Sequence, residues 1–372
     1  MPQGSPAPPP LSRQCFVATS LGLEPWLAQE LTTLGLQPEP AEGGALVTLD
    51  LQNVPWLLAN LRVASRVYVR VAHAQVRDAR DLQQLVESLP WTLWPGRAEI
   101  QVRWAAKQTS SQRAGWLAHE TARQLVAFQS LQPGTLTLLA RAIGNDVEFS
   151  VDASGRPMHQ RGWRLEQGEA PLRETVAAAL LHAVGYQRHL SLWDPMTGSG
   201  TLAIEAATWG LPLHFRPWDA DLWTLPADLV KNRNVHEIAQ KPQLQGMILA
   251  GDGDPVMIDL AQRNAERAQV TQQIRFAHAE LAQQWSGKPP DCVVLNPPWG
   301  RRLGGRNAMR RLFQRIGAVL QRDAPGSQLA ILVPEPQLIA DLPLVKSTSS
   351  RIDCGGVPMH LVSGTVTNTR KS

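Results

Sequence analysis

Cysteine is scarce in this 372-residue chain: three residues, Cys15, Cys292 and Cys354, widely spaced and odd in number. No C-x-x-C pair occurs, so neither a disulfide framework nor a structural zinc site is indicated, and no metal is expected. Long apolar runs are missing as well. None reaches the roughly 18 residues that a membrane span needs. The proline-rich start, Met1 to Leu11, lacks the apolar stretch of a secretory signal. A soluble, cytoplasmic protein without a membrane partner is expected. Lysine is sparse beside arginine, in a chain of net charge +4 and pI 9.2. That balance suits an acidic polymer as partner, because guanidinium groups pair with phosphate and stack on bases. With 43% hydrophobic and 18% charged residues, the chain can build a core and is not globally disordered. The length suits two domains.

Residues 1–12 read as a disordered tail. From Cys15 a strand and turn lead into a helix carrying Leu23, Trp26, Leu27, Leu31 and Leu34, which Gly35 ends. Strands follow at Ala45–Leu49 and Val67–Ala72, then a helix at Asp81–Ser88 and a strand at Ala98–Trp104. A helix runs from Ser110 past Phe128, and Leu136–Ala142 with Asp146–Ser150 form a hairpin turning at Gly144-Asn145. This mixture predicts an α+β domain over 13–155. A charged connector with Arg156, Arg161 and Arg164 comes next, and Pro171 is expected to open a helix ending at Gly185. Strands then alternate with helices: Leu190–Asp194, Gly246–Gly251, Ile274–Ala277, Cys292–Leu295 and Leu329–Val333 are strands, with helices from Gly200, Pro255 and Arg306. Such alternation means βαβ units and a doubly wound, mostly parallel α/β sheet, closed by a hairpin that includes His360–Val366. The tryptophan- and proline-rich insertion between Gly210 and Gly246 has no assigned role.

Four motifs carry chemistry. In DPMTGSG an apolar strand ends at Asp194, and Gly198 and Gly200 turn the chain into a helix whose free N–H groups can face a ligand. A carboxylate at Asp194 suits an ammonium group and would repel pyrophosphate, which favours a methionine moiety over a nicotinamide dinucleotide. Asp252 ends the next strand, where an acid accepts from ribose hydroxyls; Asp254 beside it reads as the N-cap of the helix that Pro255 begins. Glu280 follows the third strand, placed to accept from an adenine amino group.

The decisive stretch is CVVLNPPWGRRL. A buried strand delivers Asn296 to its carboxyl edge, Pro297 and Pro298 stiffen the backbone, and Trp299 offers a flat face for a base drawn out of its stack. An exocyclic amine is a poor nucleophile because its lone pair is delocalised into the ring. Two acceptors, the Asn296 side-chain carbonyl and a backbone carbonyl near Pro297, bind its N–H groups and turn that lone pair toward a methyl donor. No strong base is needed, and alignment supplies up to roughly 7–11 kcal/mol.

DPMTGSG, an acidic strand end and NPPWG, in that order, resemble the class I amino-methyltransferases. From FVATSLGLEPWLAQEL through DASGRPMHQRGWR and APLRETVAAALL to NPPWGRRL, the chain resembles the THUMP-containing RNA methyltransferases of the RlmL type. The resemblance implies a ferredoxin-like piece over 13–70, a THUMP RNA-binding module over 71–155, and a connector with the first catalytic helix over 156–185. A Rossmann-like catalytic domain over 186–372 completes the chain. It implies S-adenosyl-L-methionine as cofactor, bound by Asp194, Thr197, Gly198, Gly200, Asp252 and Glu280. Asn296, Pro297, Pro298 and Trp299 then form the target-base site. The sequence departs from the family at Thr197, where cysteine is common, and at Trp299, where tyrosine is usual. The second methyltransferase domain of the longest relatives is missing from it.

Arg103, Trp104, Lys107 and Arg113 form an expected RNA-facing cluster, and Arg161, Arg164 and Arg173 border the catalytic domain as further RNA contacts. The expected reaction is methylation of guanine N2 in 23S rRNA. A tRNA guanine and adenine N6 remain open alternatives, as does a non-catalytic RNA-binding assembly factor.

Overall fold

The structure is a computed structural model describing residues 12–94, 99–128, 135–166, 168, 172–213, 218–223, 245–298 and 306–368. Residues 1–11 of the tail expected over 1–12, Trp299 and most of the 210–246 insertion lie outside the described residues, while Ser12 begins the first strand.

The N-terminal lobe holds strands β1 (Ser12–Ala18), β2 (Glu39–Ala41), β3 (Gly44–Asp50), β4 (Arg66–Gln75), β5 (Glu99–Lys107), β6 (Thr135–Ile143) and β7 (Asp146–Asp152). Its helices are α1 (Glu24–Thr33), α2 (Val54–Asn60), α3 (Ala79–Glu87) and α4 (Ser111–Leu125). Two starts are capped as their sequences suggest: Asp78 accepts from the Arg80 and Asp81 amides, and Ser110 from the Arg113 amide. All seven strands form one sheet, in the order β2-β3-β1-β4-β7-β6-β5. The expected boundary at 70/71 therefore falls inside a strand. β4 pairs with β1 on one side (Cys15 opposite Val69) and with β7 on the other (Tyr68 opposite Asp152), so the two expected pieces share a sheet. Only β5 and β6 run parallel, joined by α4.

The catalytic domain contains α5 (Glu174–Ala183), β8 (Leu192–Asp194), α6 (Thr201–Ala207), β9 (Ile248–Asp252), α7 (Pro255–Arg267), β10 (Ile274–His278), β11 (Cys292–Leu295), α8 (Arg306–Asp323), β12 (Gln328–Val333), β13 (Leu344–Asp353) and β14 (Pro358–Val366). Its sheet has the order β10-β9-β8-β11-β12-β14-β13, parallel through β12, with β14 and β13 antiparallel. One element starts later than expected. α5 begins at Glu174, because Leu172 and Arg173 stay outside it: the Leu172 carbonyl accepts from Arg164 Nη1 (2.6 Å) and Arg173 is extended.

The central strands read as continuous apolar runs because both faces are covered. Cys292 and Val294 of β11 join one core, while Val293 and Leu295 join the other with Phe313, Ile316 and Leu320 of α8. The first core continues without a break into the N-terminal lobe through Leu27, Leu31, Leu57 and Leu58. The same seam carries buried charge. Glu205 of α6, fully buried, takes Arg62 Nη1 at 3.0 Å and Arg161 Nε at 3.2 Å. Arg161 also donates to the Arg62 carbonyl, and Arg62 to the Thr208 and Leu211 carbonyls.

The expectation that Arg161 and Arg164 face RNA is thus corrected. Arg161 is 2% exposed, and Arg164 pairs with buried Glu174 at 2.8 Å. Both are structural: Arg161 shares the buried Glu205 carboxylate with Arg62, and Arg164 neutralises buried Glu174.

Candidate active site

A doubly wound sheet opens a crevice where its winding reverses, outside the carboxyl ends of the strands on either side. Here the chain starts at β8, winds out to β9 and β10, then returns to place β11 on the other flank of β8. The switch point lies between β8, which ends at Asp194, and β11, whose Leu295 is followed by Asn296. A cleft of about 690 Å³ opens there, lined among others by Thr197, Gly198, Asp252, Glu280, Asn296 and Pro298. Four separated sequence motifs therefore meet at one edge.

The glycine loop takes its shape from two left-handed residues, Gly198 (φ 51°) and Gly200 (φ 86°). Gly200 packs so closely on α7 that a Cβ there would sit 3.0 Å from the Ala261 Cβ, whereas beside Gly198 the space is open. Asp252 holds the loop: its Oδ2 accepts from the Gly198 amide at 3.0 Å and its Oδ1 from the Asp254 amide at 3.0 Å. Asp254 caps α7 by accepting from the Val256 amide (2.9 Å), as its place before Pro255 suggests.

Asp194 lies behind the loop with no exposed surface; neither carboxylate oxygen makes a hydrogen bond of normal geometry among the described residues, although the Thr197 hydroxyl and the Met196 and Ala203 amides face it and partly offset the cost of burial. Burial pushes its carboxyl up to about 7, and the charge of Asp252 adds to the shift. Asn296 Oδ1 is also buried and, among the described residues, without a partner. Unsatisfied buried acceptors of this kind are rare enough in folded proteins to point to a missing partner. Glu280 is exposed on the cleft rim, where it pairs with Arg315 of α8 at 2.7 Å.

Sequence reasoning missed three residues that hold this cleft together. Gln284 donates from Nε2 to the Pro195 and Ala279 carbonyls (3.1 and 2.9 Å) and accepts from Trp193 Nε1 at 3.2 Å, tying the glycine loop to the Glu280 turn. Asn264, fully buried on α7, donates to the Ser199 carbonyl at 3.0 Å and to the Glu166 carbonyl at 3.1 Å. Glu166 in turn clamps Arg263 and Arg267 (2.6 and 2.5 Å), so the connector is fastened beside the loop. None of these carries a motif. Gly251 offered a faint signal, a glycine in mid-strand: a Cβ there would lie 2.0 Å from Gln284 Oε1. Gly251→Ala should therefore displace Gln284 and weaken cofactor binding about tenfold or more, read by calorimetry with the far-ultraviolet spectrum unchanged. Wild-type affinity in that variant would remove Gln284 from the account.

The remaining expected RNA contacts are scattered. Trp104 packs edge-on against Phe149, Lys107 pairs with Glu42, and Arg113 donates to the Val76 and Arg77 carbonyls beneath its contact with Trp116. Arg103 is exposed on β5 and Arg173 half-buried before α5.

The family model described as the RMKL-like methyltransferase domain matches residues 161–351, just over half of the chain and the whole of the cleft. The chain belongs to the RMKL-like methyltransferases. S-adenosylmethionine is the cofactor this membership implies, and the open Gly198 cradle with the unpartnered Asp194 carboxylate fits it. The RlmL ferredoxin-like domain matches residues 14–68. A Synechocystis sp. protein provisionally named an RNA methyltransferase is 27% identical over 94% of this chain and 96% of its own length. The ribosomal RNA large subunit methyltransferase K/L of Magnetococcus marinus is 30% identical over 86% of this chain, which spans 48% of that protein. Among solved structures, SMU.472, a provisionally assigned methyltransferase crystallised with SAH, superposes with a TM-score of 0.82 at 20% identity, covering 97% of this chain and 100% of its own. That likeness shows the fold. Among the described residues no helix is long and apolar enough to cross a membrane, and no cluster of three or more metal-ligating side chains occurs.

Proposed function

We propose that this RNA methyltransferase transfers the methyl group of S-adenosylmethionine to the exocyclic N2 of a guanine in 23S rRNA. The observation that carries the reading is the unpartnered Asn296 Oδ1, an acceptor held in the wall of the cleft that Asp194, Gly198 and Asp252 also border or back. The cofactor supplies an electrophilic methyl group. Asp194 meets its ammonium, the loop at Thr197, Gly198 and Gly200 approaches its aminocarboxypropyl chain, and Asp252 accepts from the ribose hydroxyls. Glu280, steadied by Arg315, accepts from the adenine amino group. Asn296 and the carbonyl near Pro297 take the two N–H groups of the target amine, which leaves its lone pair toward the methyl. Trp299 stacks on the captured base. The K/L name of the Magnetococcus relative supports ribosomal RNA as substrate, and guanine N2 is the finer assignment that nucleoside analysis tests.

The role of Asp194 has a pH signature. A buried carboxyl raised from 3.8 to about 7 stays protonated in the free protein through mildly acidic pH. Its contribution to fold stability is complete below about 3.8 and is lost as pH rises through about 7. The ammonium needs the ionised form, so cofactor affinity should rise with pH over that window, by up to about tenfold per unit below 7. Calorimetry at pH 6 and pH 8 checks this; a flat wild-type profile, or the same slope in Asp194→Asn, sets the role aside.

Residues 71–155 are proposed as the THUMP module and 13–155 together as the part that carries RNA affinity, with Arg103 and Arg173 the sequence-expected basic contacts held by neither a carboxylate nor a backbone carbonyl among the described residues. Removing the lobe should weaken RNA binding strongly, and full-length affinity should fall steeply between 50 and 200 mM salt, by roughly tenfold for every two phosphates contacted. Because the lobe shares its core with the catalytic domain, the test uses Arg103→Gln in the whole chain. Salt-independent RNA affinity that Arg103→Gln leaves unmoved counts against the assignment.

A further inference from the structure

A second cavity, about 580 Å³, lies between the N-terminal lobe and the catalytic domain, away from the cofactor cleft. It sits at the amino edge of the catalytic sheet: His189 and Gln245, both in its wall, lead into β8 and β9. The lobe contributes Glu30 of α1 and Arg62 after α2; the catalytic domain contributes the end of α5 and the turn after α6.

The wall has a specific chemistry. The half-buried indole of Trp209 is met edge-on by His182 (4.8 Å between centroids) and Tyr186 (6.3 Å), and the Arg62 guanidinium lies over one of its faces at 5.6 Å, leaving the other for a ligand. Three polar groups around it are buried without a hydrogen-bond partner among the described residues: His182 Nε2, the Tyr186 hydroxyl and Arg188 Nε. Tyr186 is only 1% exposed, and the closest carboxylate oxygen to His182 Nε2, on Glu30, is 3.8 Å away. Arg188 spends Nη1 on the Ala207 and Trp209 carbonyls (2.7 and 3.0 Å), which fixes the indole's turn. Its Nη2 reaches Gln273 Oε1 at 3.5 Å and no acidic side chain pairs with it among the described residues, whereas Arg62 is neutralised by Glu205; the Glu30 carboxylate shares the wall on the lobe side. Nothing in the methyl-transfer site explains three orphaned polar groups on the far edge of the sheet.

We propose that this cavity is a nucleotide site. An indole wall accepts a planar base, an imidazole and a phenol hydroxyl each donate or accept at the base edge, and Arg188, paired with no acidic side chain among the described residues, favours the phosphate. The volume lies within the range of small-molecule sites. The nucleotide is either free or one unit of an RNA chain; the second source rests on the RNA-methyltransferase reading, the site itself does not.

The test uses the full chain saturated with S-adenosylhomocysteine, so that no added nucleotide can occupy the cofactor cleft. It is titrated by calorimetry with each nucleoside 5′-monophosphate and, separately, with a single-stranded RNA oligonucleotide. Tyr186→Phe removes only a hydroxyl, and His182→Phe keeps a ring but removes its nitrogens. Each should weaken binding about tenfold while S-adenosylhomocysteine affinity stays unchanged. Monophosphate binding that both variants weaken identifies a free-nucleotide site. An effect on the oligonucleotide alone identifies a unit of RNA. If no monophosphate binds and neither variant alters oligonucleotide affinity, the cavity holds only water and the proposal is overturned. Failure of the chain to methylate any RNA would refute the RNA reading and leave the monophosphate titration decisive.

Discussion

Asn296→Ala should abolish methyl transfer, lowering single-turnover rates at saturating RNA and cofactor by at least about 100-fold, while cofactor affinity stays within about twofold of wild type. The division follows from geometry. Asn296 follows β11 and presents its one buried, unpartnered oxygen, whereas Asp194, Gly198 and Asp252 belong to β8, the glycine loop and β9. A group that meets the amine as it reacts lowers turnover; a group that holds the cofactor changes its dissociation constant. Trp299→Ala should be milder, costing roughly 1–3 kcal/mol of stacking and acting mainly on base capture. Wild-type rates in Asn296→Ala would return NPPW to the status of a stiff turn.

The largest effect on stability should come from a residue that touches no ligand. Glu205→Ala leaves the guanidinium groups of Arg62 and Arg161 buried near each other without their shared ion-pair partner and with only the more distant Glu30 carboxylate to offset them, which costs roughly 3–5 kcal/mol. Glu205→Gln keeps one acceptor oxygen and turns an NH2 donor toward the other guanidinium, so it loses the charge and one hydrogen bond and should fall between. Denaturant midpoints at unchanged slope give the comparison. A Glu205→Ala protein within about 0.5 kcal/mol of wild type would mean that the triad is dispensable to the seam.

These two residues also mark how far the sequence can be read. Asn296 was legible because a local pattern, a β-branched strand followed by two prolines, fixes where it stands in any doubly wound sheet. The strands themselves were legible for the same reason, their periodicity and glycine punctuation being local. Glu205 was not. Its partners Arg62 and Arg161 lie 143 and 44 residues away, and nothing in a helix reading Thr-Leu-Ala-Ile-Glu-Ala-Ala announces a buried carboxylate. Arg161 was misread for the complementary reason: arginine is ordinarily a surface residue, and only the fold shows that this one neutralises an interior charge. The 70/71 boundary falls within β4, a single ten-residue strand paired on both sides, a continuity that composition cannot reveal. Gln284 escaped notice because its three bonds reach segments up to about ninety residues away.

The central claim is that this cleft methylates an exocyclic base amine in RNA. The most direct measurement incubates the purified chain with isotopically labelled S-adenosylmethionine and ribosomal RNA from cells lacking the protein, then identifies the labelled nucleoside by mass spectrometry. The wild-type chain should yield N2-methylguanosine from 23S rRNA, and Asn296→Ala none. Label on a ribose oxygen or a ring carbon, or label that persists undiminished in Asn296→Ala, would contradict the claim.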